Sequence, residues 1–263
     1  MAETSALFVK ENTMEELPKR RRTSRGRCAL CGAEFGKAQM TRHLEKHQAE
    51  QDAATGPGTK RYHLLVEGRH SPEYWLHLDV QVGATLRDLD SFLRGIWLEC
   101  CGHLSAFEIN DARYDVTVED TAEEEEDEED DDFFGGLGLM FGGPPPKSMS
   151  IRLSEALTPG TKFTHQYDFG STTELKLRVV SEHEGDPRPD AVRLLARNVA
   201  PEFECEKCGE PAVWLGADEE GEYRELCQKC AKRAKRDEWL LPIVNSPRAG
   251  VCGYEGPSRE YPV

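Results

Sequence analysis

Six of the nine cysteines fall in three Cys-x-x-Cys pairs: Cys28/Cys31, Cys205/Cys208 and Cys227/Cys230. Two sulfurs three residues apart can grip one tetrahedral ion from a tight turn. The first pair continues as Cys28-x2-Cys31-x11-His43-x3-His47. Two thiolates on a turn, then two imidazoles one helical turn apart, make a two-Cys/two-His zinc finger. Phe35 and Met40 fall where such a finger keeps its miniature core. Apolar burial alone cannot fold a unit this small; zinc would supply about 10–16 kcal/mol of apparent stabilisation. The other two pairs give Cys205-x2-Cys208-x18-Cys227-x2-Cys230, the spacing of a zinc ribbon. Its four thiolates leave no open position, so a structural ion is expected rather than a catalytic one. A thioredoxin-like redox use of one pair is the alternative. Two zinc ions are therefore expected. Cys100 and Cys101 follow an apolar helix and read as core packing, while Cys252, in GVCGY, is not expected as a zinc ligand because both sites already have four.

The finger helix carries Lys37, Arg42 and Lys46, and a basic arm precedes it. The arm, Lys19 to Arg27, holds Lys19, Arg20, Arg21, Arg22, Arg25 and Arg27. Such residues contact nucleic-acid phosphates with strong salt dependence. One finger reads about three base pairs and binds weakly alone. Small zinc units also bind proteins, so nucleic acid and protein both stand as partners.

The chain has 263 residues and a formal net charge of −16, from 33 Lys+Arg and 49 Asp+Glu. Ten of those acids form one run, Glu123 to Asp132, which reads as a solvated loop. The low isoelectric point therefore says little about the other surfaces. Hydrophobic residues are 38% of the chain, enough for one core of ordinary domain size. No run approaches the ~20 apolar residues of a membrane span. The first residues lack a signal-peptide pattern, so a cytoplasmic location is expected.

The remaining elements must position these groups. RYHLLVEG and YWLHLDVQV read as two strands joined by a turn with Pro72. TLRDLDSFLRGIWLEC has Leu86, Leu89, Leu93 and Ile96 at helical spacing, with a Thr85/Asp88 capping box. LSAFEIN and YDVTV are strands, IRLSEAL is a short helical piece, and KFTHQYDF, ELKLRVVSEH and AVRLLARNV are three further strands. The fold class is α+β: a small mixed or antiparallel sheet with one packed helix, flanked by two small zinc modules. The expected organisation is a disordered basic arm at 1–27, the finger at 28–48 and a linker at 49–59. An α+β domain at 60–199 holds an acidic insertion at 119–147. The ribbon spans 200–236, and a tail at 237–263 packs back because Trp239, Leu240, Leu241, Ile243 and Val244 need cover.

From about Tyr62 to Val180 the chain resembles the plasmid pRi ORF-three-like family, some of whose members are labelled transposon passenger proteins of the TnpR type. The resemblance rests on YWLHLDVQVGATLRDLDSFLRGIW, HLSAFEI and FTHQYDFGSTTELKLRVV, and on the tail NSPRAGVCGY. It is carried by Trp75, Trp97, His103 with Phe107, and the turn Tyr167 to Gly170. The commoner family form continues that turn with Asp and Trp, where this chain has Ser171, Thr172 and Thr173. The resemblance implies an α+β fold and no established activity. The TnpR label suggests a resolvase, but no serine-recombinase pattern accompanies it.

Asp168-Phe169-Gly170 matches the kinase DFG triplet, yet no glycine-rich loop, strand lysine or His-Arg-Asp motif accompanies it. It reads as a strand-end turn in which Gly170 supplies the unusual backbone angle. His103 and Asp168 are a candidate acid–base pair, and no nucleophile–base–orienter set accompanies them. The expectation is thus a zinc-binding, non-enzymatic adaptor contacting nucleic acid through finger and arm, in a mobile-element or regulatory setting. A protein-interaction module with purely structural zinc is the alternative, and an enzyme is the third. No small-molecule substrate is indicated.

Overall fold

The computed structural model describes residues 24–55, 58–116, 145–185, 189–217, 223–233 and 239–261. The basic run Lys19 to Arg22 and all but the last three residues of the acidic insertion lie outside these. The chain opens with strands β1 (Arg25–Cys28) and β2 (Glu34–Gly36) and helix α1 (Lys37–Thr55). Strands β3 (Thr59–Gly68) and β4 (Trp75–Gln81) precede helix α2 (Leu86–Leu93), which runs into a π-helical turn at Arg94–Leu98. Then come β5 (Ser105–Ile109), β6 (Ala112–Asp115), β7 (Lys147–Ser148) and α3 (Leu153–Ala156). Strands β8 (Lys162–Tyr167), β9 (Thr173–Gly185) and β10 (Val192–Asn198) complete the central part. A separate unit follows: β11 (Trp214–Ala217), β12 (Tyr223–Leu226), α4 (Gln228–Ala231) and β13 (Trp239–Pro242).

The sheet is not small. Ten strands hydrogen-bond in the order β2-β1-β10-β4-β3-β9-β8-β5-β6-β7. All neighbours are antiparallel except β6 and β7. The expectation of a small sheet fails because β3 to β10 already form eight paired strands, and β1 then adds to β10, Gly26 facing Asn198. That pairing merges the finger hairpin into the main sheet. Backbone donors at an open sheet edge favour such pairing.

Both sheet faces are covered. Tyr62, Leu64 and Val66 from β3 and Leu76, Leu78 and Val80 from β4 meet Leu86, Leu89, Leu93, Ile96 and Trp97 on one face. Helix α2 starts as its sequence requires. Thr85 accepts from the Asp88 amide while the Asp88 carboxylate accepts from the Thr85 amide. On the opposite face Leu65, Trp75, Leu195 and Ala196 pack against Met40, Leu44 and Cys28. The result is helix, sheet, helix, which explains why β3 and β4 are buried nearly throughout instead of alternating.

Side-chain alternation puts Arg61, His63, Leu65 and Glu67 on the α1 face. His63 and His77 are both fully buried there, His63 Nε2 lying 2.8 Å from His77 Nδ1. One ring donates and the other accepts, so the accepting ring must be neutral. Burial, reinforced by His183, pushes His63 down to about 4. Burial, then His63 itself, holds His77 well below the usual value. An unfolded His titrates near 6.5, so below that pH the unfolded chain binds more protons. Stability is therefore full above about pH 6.5 and falls as pH drops toward 4. For His63 alone the loss between pH 7 and 5 is about 2 kcal/mol. Urea unfolding at the two pH values should show a smaller drop in a His63→Leu/His77→Leu variant than in the wild type. Equal drops would contradict the neutral pair.

The tail departs from expectation at its start. Strand β13 pairs with β11 in a three-stranded sheet of order β12-β11-β13, so Trp239 is 75% exposed and Leu240 36%. Backbone pairing, not apolar cover, places those residues. Further on, Ser246, Arg248 and Tyr254 are buried. Ser246 Oγ donates to the Trp97 carbonyl at 2.6 Å, and Trp97 Nε1 donates to the Asn245 carbonyl at 3.1 Å. No described helix is long and apolar enough to cross a membrane.

Candidate metal centres

The first centre is built by the β1–β2 turn and helix α1. Cys28 ends β1, the turn returns Cys31, and α1 presents His43 and His47 one turn apart. Their ligand atoms lie within 4.8 Å of one another, and Cys31 Sγ is 3.3 Å from His43 Nε2. A sulfur–nitrogen edge of a zinc tetrahedron is about 3.6 Å. The turn itself is specific. The Gly32 amide donates to the Cys28 carbonyl at 2.8 Å, and Gly32 has φ of 73°, which a side chain would strain. Burial raises the Cys28 thiol, and burial followed by the His47 charge lowers His43. Neutral imidazole is the form that binds a metal.

Trp75 fixes this unit to the sheet. Its ring is fully buried against Gly26, where an added Cβ would sit 2.2 Å from Trp75 Cη2 and 2.4 Å from the Arg197 carbonyl. Trp75 Nε1 donates to Ser24 Oγ at 2.7 Å, and Ser24 Oγ donates to the Glu73 carbonyl at 2.7 Å.

The second centre repeats the turn. The Gly209 amide donates to the Cys205 carbonyl at 2.8 Å, with φ of 74° at Gly209. The Cys205 amide donates to the Glu210 carbonyl at 2.8 Å, as the Cys28 amide does to the Ala33 carbonyl at 2.9 Å. Cys227 and Cys230 enter from the end of β12 and from α4. Cys208 Sγ lies 3.6 Å from Cys227 Sγ and 3.7 Å from Cys230 Sγ. The sulfur–sulfur edge of a zinc tetrahedron is about 3.8 Å, so the donor set fits that ion. The Cys227 amide chiefly draws the Cys205 thiol down to about 6. The Cys208 sulfur chiefly pushes Cys230 up to about 12. Crowded thiolates repel one another, and a bound cation relieves that repulsion.

The basic residues separate. Arg25, Arg27, Arg42 and Lys46 are exposed. Arg27 pairs with Glu34 at 3.1 Å and Lys46 with Glu50 at 3.8 Å. Lys37 instead turns to the domain, where it meets Glu67 and donates to the Pro72 carbonyl at 3.1 Å. Lys19, Arg20, Arg21 and Arg22 lie outside the described residues.

His103 and Asp168 do come together, with His103 Nε2 3.7 Å from Asp168 Oδ2. Asp168, not Gly170, takes the left-handed backbone, at φ of 65°. Its Oδ1 accepts from the Gly170 and Ser171 amides, a local turn that Asp tolerates well. Its Oδ2 is held by Arg248 at 2.8 Å. A third Cys/His cluster was missed by spacing. Cys100, Cys101, His103 and Cys252 bring their ligand atoms within 4.8 Å. The local Cys-Cys-x-His run was the available signal; its fourth member lies 149 residues further on.

No curated protein shows significant similarity to this chain. Among solved structures, a protein of unknown function, MM3350 from Methanosarcina mazei Go1, is 18% identical. The similarity covers 58% of this chain and 76% of that one, with a TM-score of 0.38. The family profile described as plasmid pRiA4b ORF-3-like protein matches residues 62–232, which hold the central sheet from β3 to β10 and the second Cys cluster. The chain belongs to the plasmid pRiA4b ORF-3-like family.

Proposed function

We propose that this is a zinc-stapled, non-enzymatic binding protein that contacts nucleic-acid phosphates through its finger and basic arm. One observation carries the reading. Helix α1 buries Met40 and Leu44 on the sheet while Gln39, Arg42 and Lys46 stay in solvent. The finger is thus fastened by one face and presents the other. Arg25 and Arg27 on β1 continue the basic run that precedes it. Zinc at both centres is structural in this reading, because each has four protein ligands and no open position. Lys37 is spent on Glu67, so the phosphate contacts fall to the arm, Arg42 and Lys46.

The acidic neighbours Glu34, Glu45 and Glu50 favour the second reading, a protein-contact module, since they offset the exposed bases. Fluorescence anisotropy of the full chain on random duplex DNA, single-stranded DNA and RNA across a salt series separates the two. Nucleic-acid contact predicts weak binding that falls steeply with salt. Arg42→Ala/Lys46→Ala should weaken it about 10-fold or more at low salt, given ~1 kcal/mol per phosphate contact. Flat binding in both proteins would sink the nucleic-acid reading in favour of a protein partner.

A further inference from the structure

We propose that Cys100, Cys101, His103 and Cys252 form a third zinc site, one that fastens the C-terminal segment to the central sheet. The four ligand atoms already lie within 4.8 Å of one another, and His103 Nε2 is 3.3 Å from Cys252 Sγ. That separation equals the Cys31–His43 separation in the finger centre. Three thiolates and an imidazole are a donor set that selects zinc among the common divalent ions.

The ligands are held before any ion arrives. Residues 99–103 wrap the Tyr167 hydroxyl, which accepts from the His103 amide at 3.3 Å and donates to Glu99 Oε1 at 3.0 Å. Glu99 Oε1 also accepts from the Gly102 amide at 2.6 Å, closing the turn behind Cys101. Cys252 is delivered by the tail, whose Arg248 is fully buried. Arg248 Nη2 lies 3.4 Å from Cys100 Sγ and 2.8 Å from Asp168 Oδ2. Three thiolates around a dication leave one net negative charge, and Arg248 stands against it. Asp168, 3.7 Å from His103 Nε2, belongs to the same surround. Outer partners of this kind orient metal ligands and tune their affinity.

The need is physical. After β13 the described tail, residues 243–261, contains no helix or strand. It is anchored by buried Ser246, Arg248 and Tyr254 and by Tyr261, which packs against the central core, and Cys252 lies between those anchors. A metal joining residues 100 and 252 would remove the freedom of a long loop in the unfolded chain. With all four positions taken by protein, the site is a staple rather than a catalyst.

The test is the zinc content of the full chain, purified under reductant and measured by mass spectrometry against protein concentration. Cys252→Ser and Cys101→Ser should each bind one zinc fewer than the wild type. Cys252→His should restore that ion, since histidine is a zinc ligand and tolerates left-handed backbone better than most residues. Cys252 has φ of 50°. The comparison reads a difference between variants, so it holds whatever the finger and ribbon bind. Unchanged zinc content in both serine variants would overturn the proposal. So would a Cys101–Cys252 disulfide that persists in the wild-type protein purified under reductant.

Discussion

Cys205→Ser should release one zinc and unfold the ribbon while leaving the central sheet intact. The buried apolar cluster of this unit consists of Cys205, Leu226, Cys227 and Ala231, with Trp214 and Cys230 partly buried beside it. Two of its four fully enclosed members are therefore ligands. Burying a Leu and an Ala is worth only about 2–4 kcal/mol. Burial on that scale cannot offset the conformational entropy of ordering the unit, so the ion must contribute folding free energy. Cys205 is the sharpest choice of variant. It is buried in the unit's core as well as a ligand, and the Cys227 amide chiefly draws its thiol down. The measurement is zinc content together with limited proteolysis. Cleavage should appear between residues 200 and 242, with the fragment ending before 200 staying resistant. Resistance throughout, with zinc still bound, would contradict a metal-dependent ribbon.

Cys28→Ser should detach the finger and expose Trp75. Cys28 is fully buried in the cluster that joins α1 to the sheet, so the change removes a ligand and buries a hydroxyl. Without the ion, Met40 and Leu44 lose the geometry that seats them on Leu65, Trp75 and Leu195. Losing one buried Leu contact set costs about 2–5 kcal/mol, and here two large side chains leave together. The expected readout is a red shift of tryptophan emission and an unfolding free energy from urea titration lower by several kcal/mol. Gly26→Val provides an independent arm. The new Cβ collides with the Trp75 ring and with the Arg197 carbonyl, while all four ligands stay. It should also free the finger and weaken zinc binding there. An unshifted emission spectrum in both variants would show that the finger does not rest on Trp75.

Much of this was legible in the residues. Ligand spacing placed both principal clusters, because a Cys-x-x-Cys turn is a local object whose geometry needs no tertiary partner. The Thr85/Asp88 box and the 3.6-residue spacing of Leu86, Leu89 and Leu93 placed α2 for the same reason. What escaped was non-local. Nothing in RCALCGAEF announces that Gly26 will face Asn198, yet that pairing turns a flanking module into part of a ten-stranded sheet. Trp239 and Leu240 looked like core and became an exposed strand, since hydropathy does not show which backbone supplies a hydrogen-bond partner. Asp168 rather than Gly170 took the left-handed angle because its carboxylate caps its own turn. The cluster of Cys100, Cys101, His103 and Cys252 depends on a fold that returns the tail across 149 residues.

Hydrogen exchange of the full chain, zinc-loaded and after chelation, tests the central claim that metal fastens the finger into the sheet. With zinc, the amides of Gly26 to Cys28 and of Ala196 to Asn198 should be protected about as strongly as β3 and β4. Chelation should release the β1 amides and those of α1 while β3, β4 and β9 remain protected. Fast exchange at Gly26 to Cys28 in the zinc-loaded protein would mean the finger is a free appendage, and the account would fail.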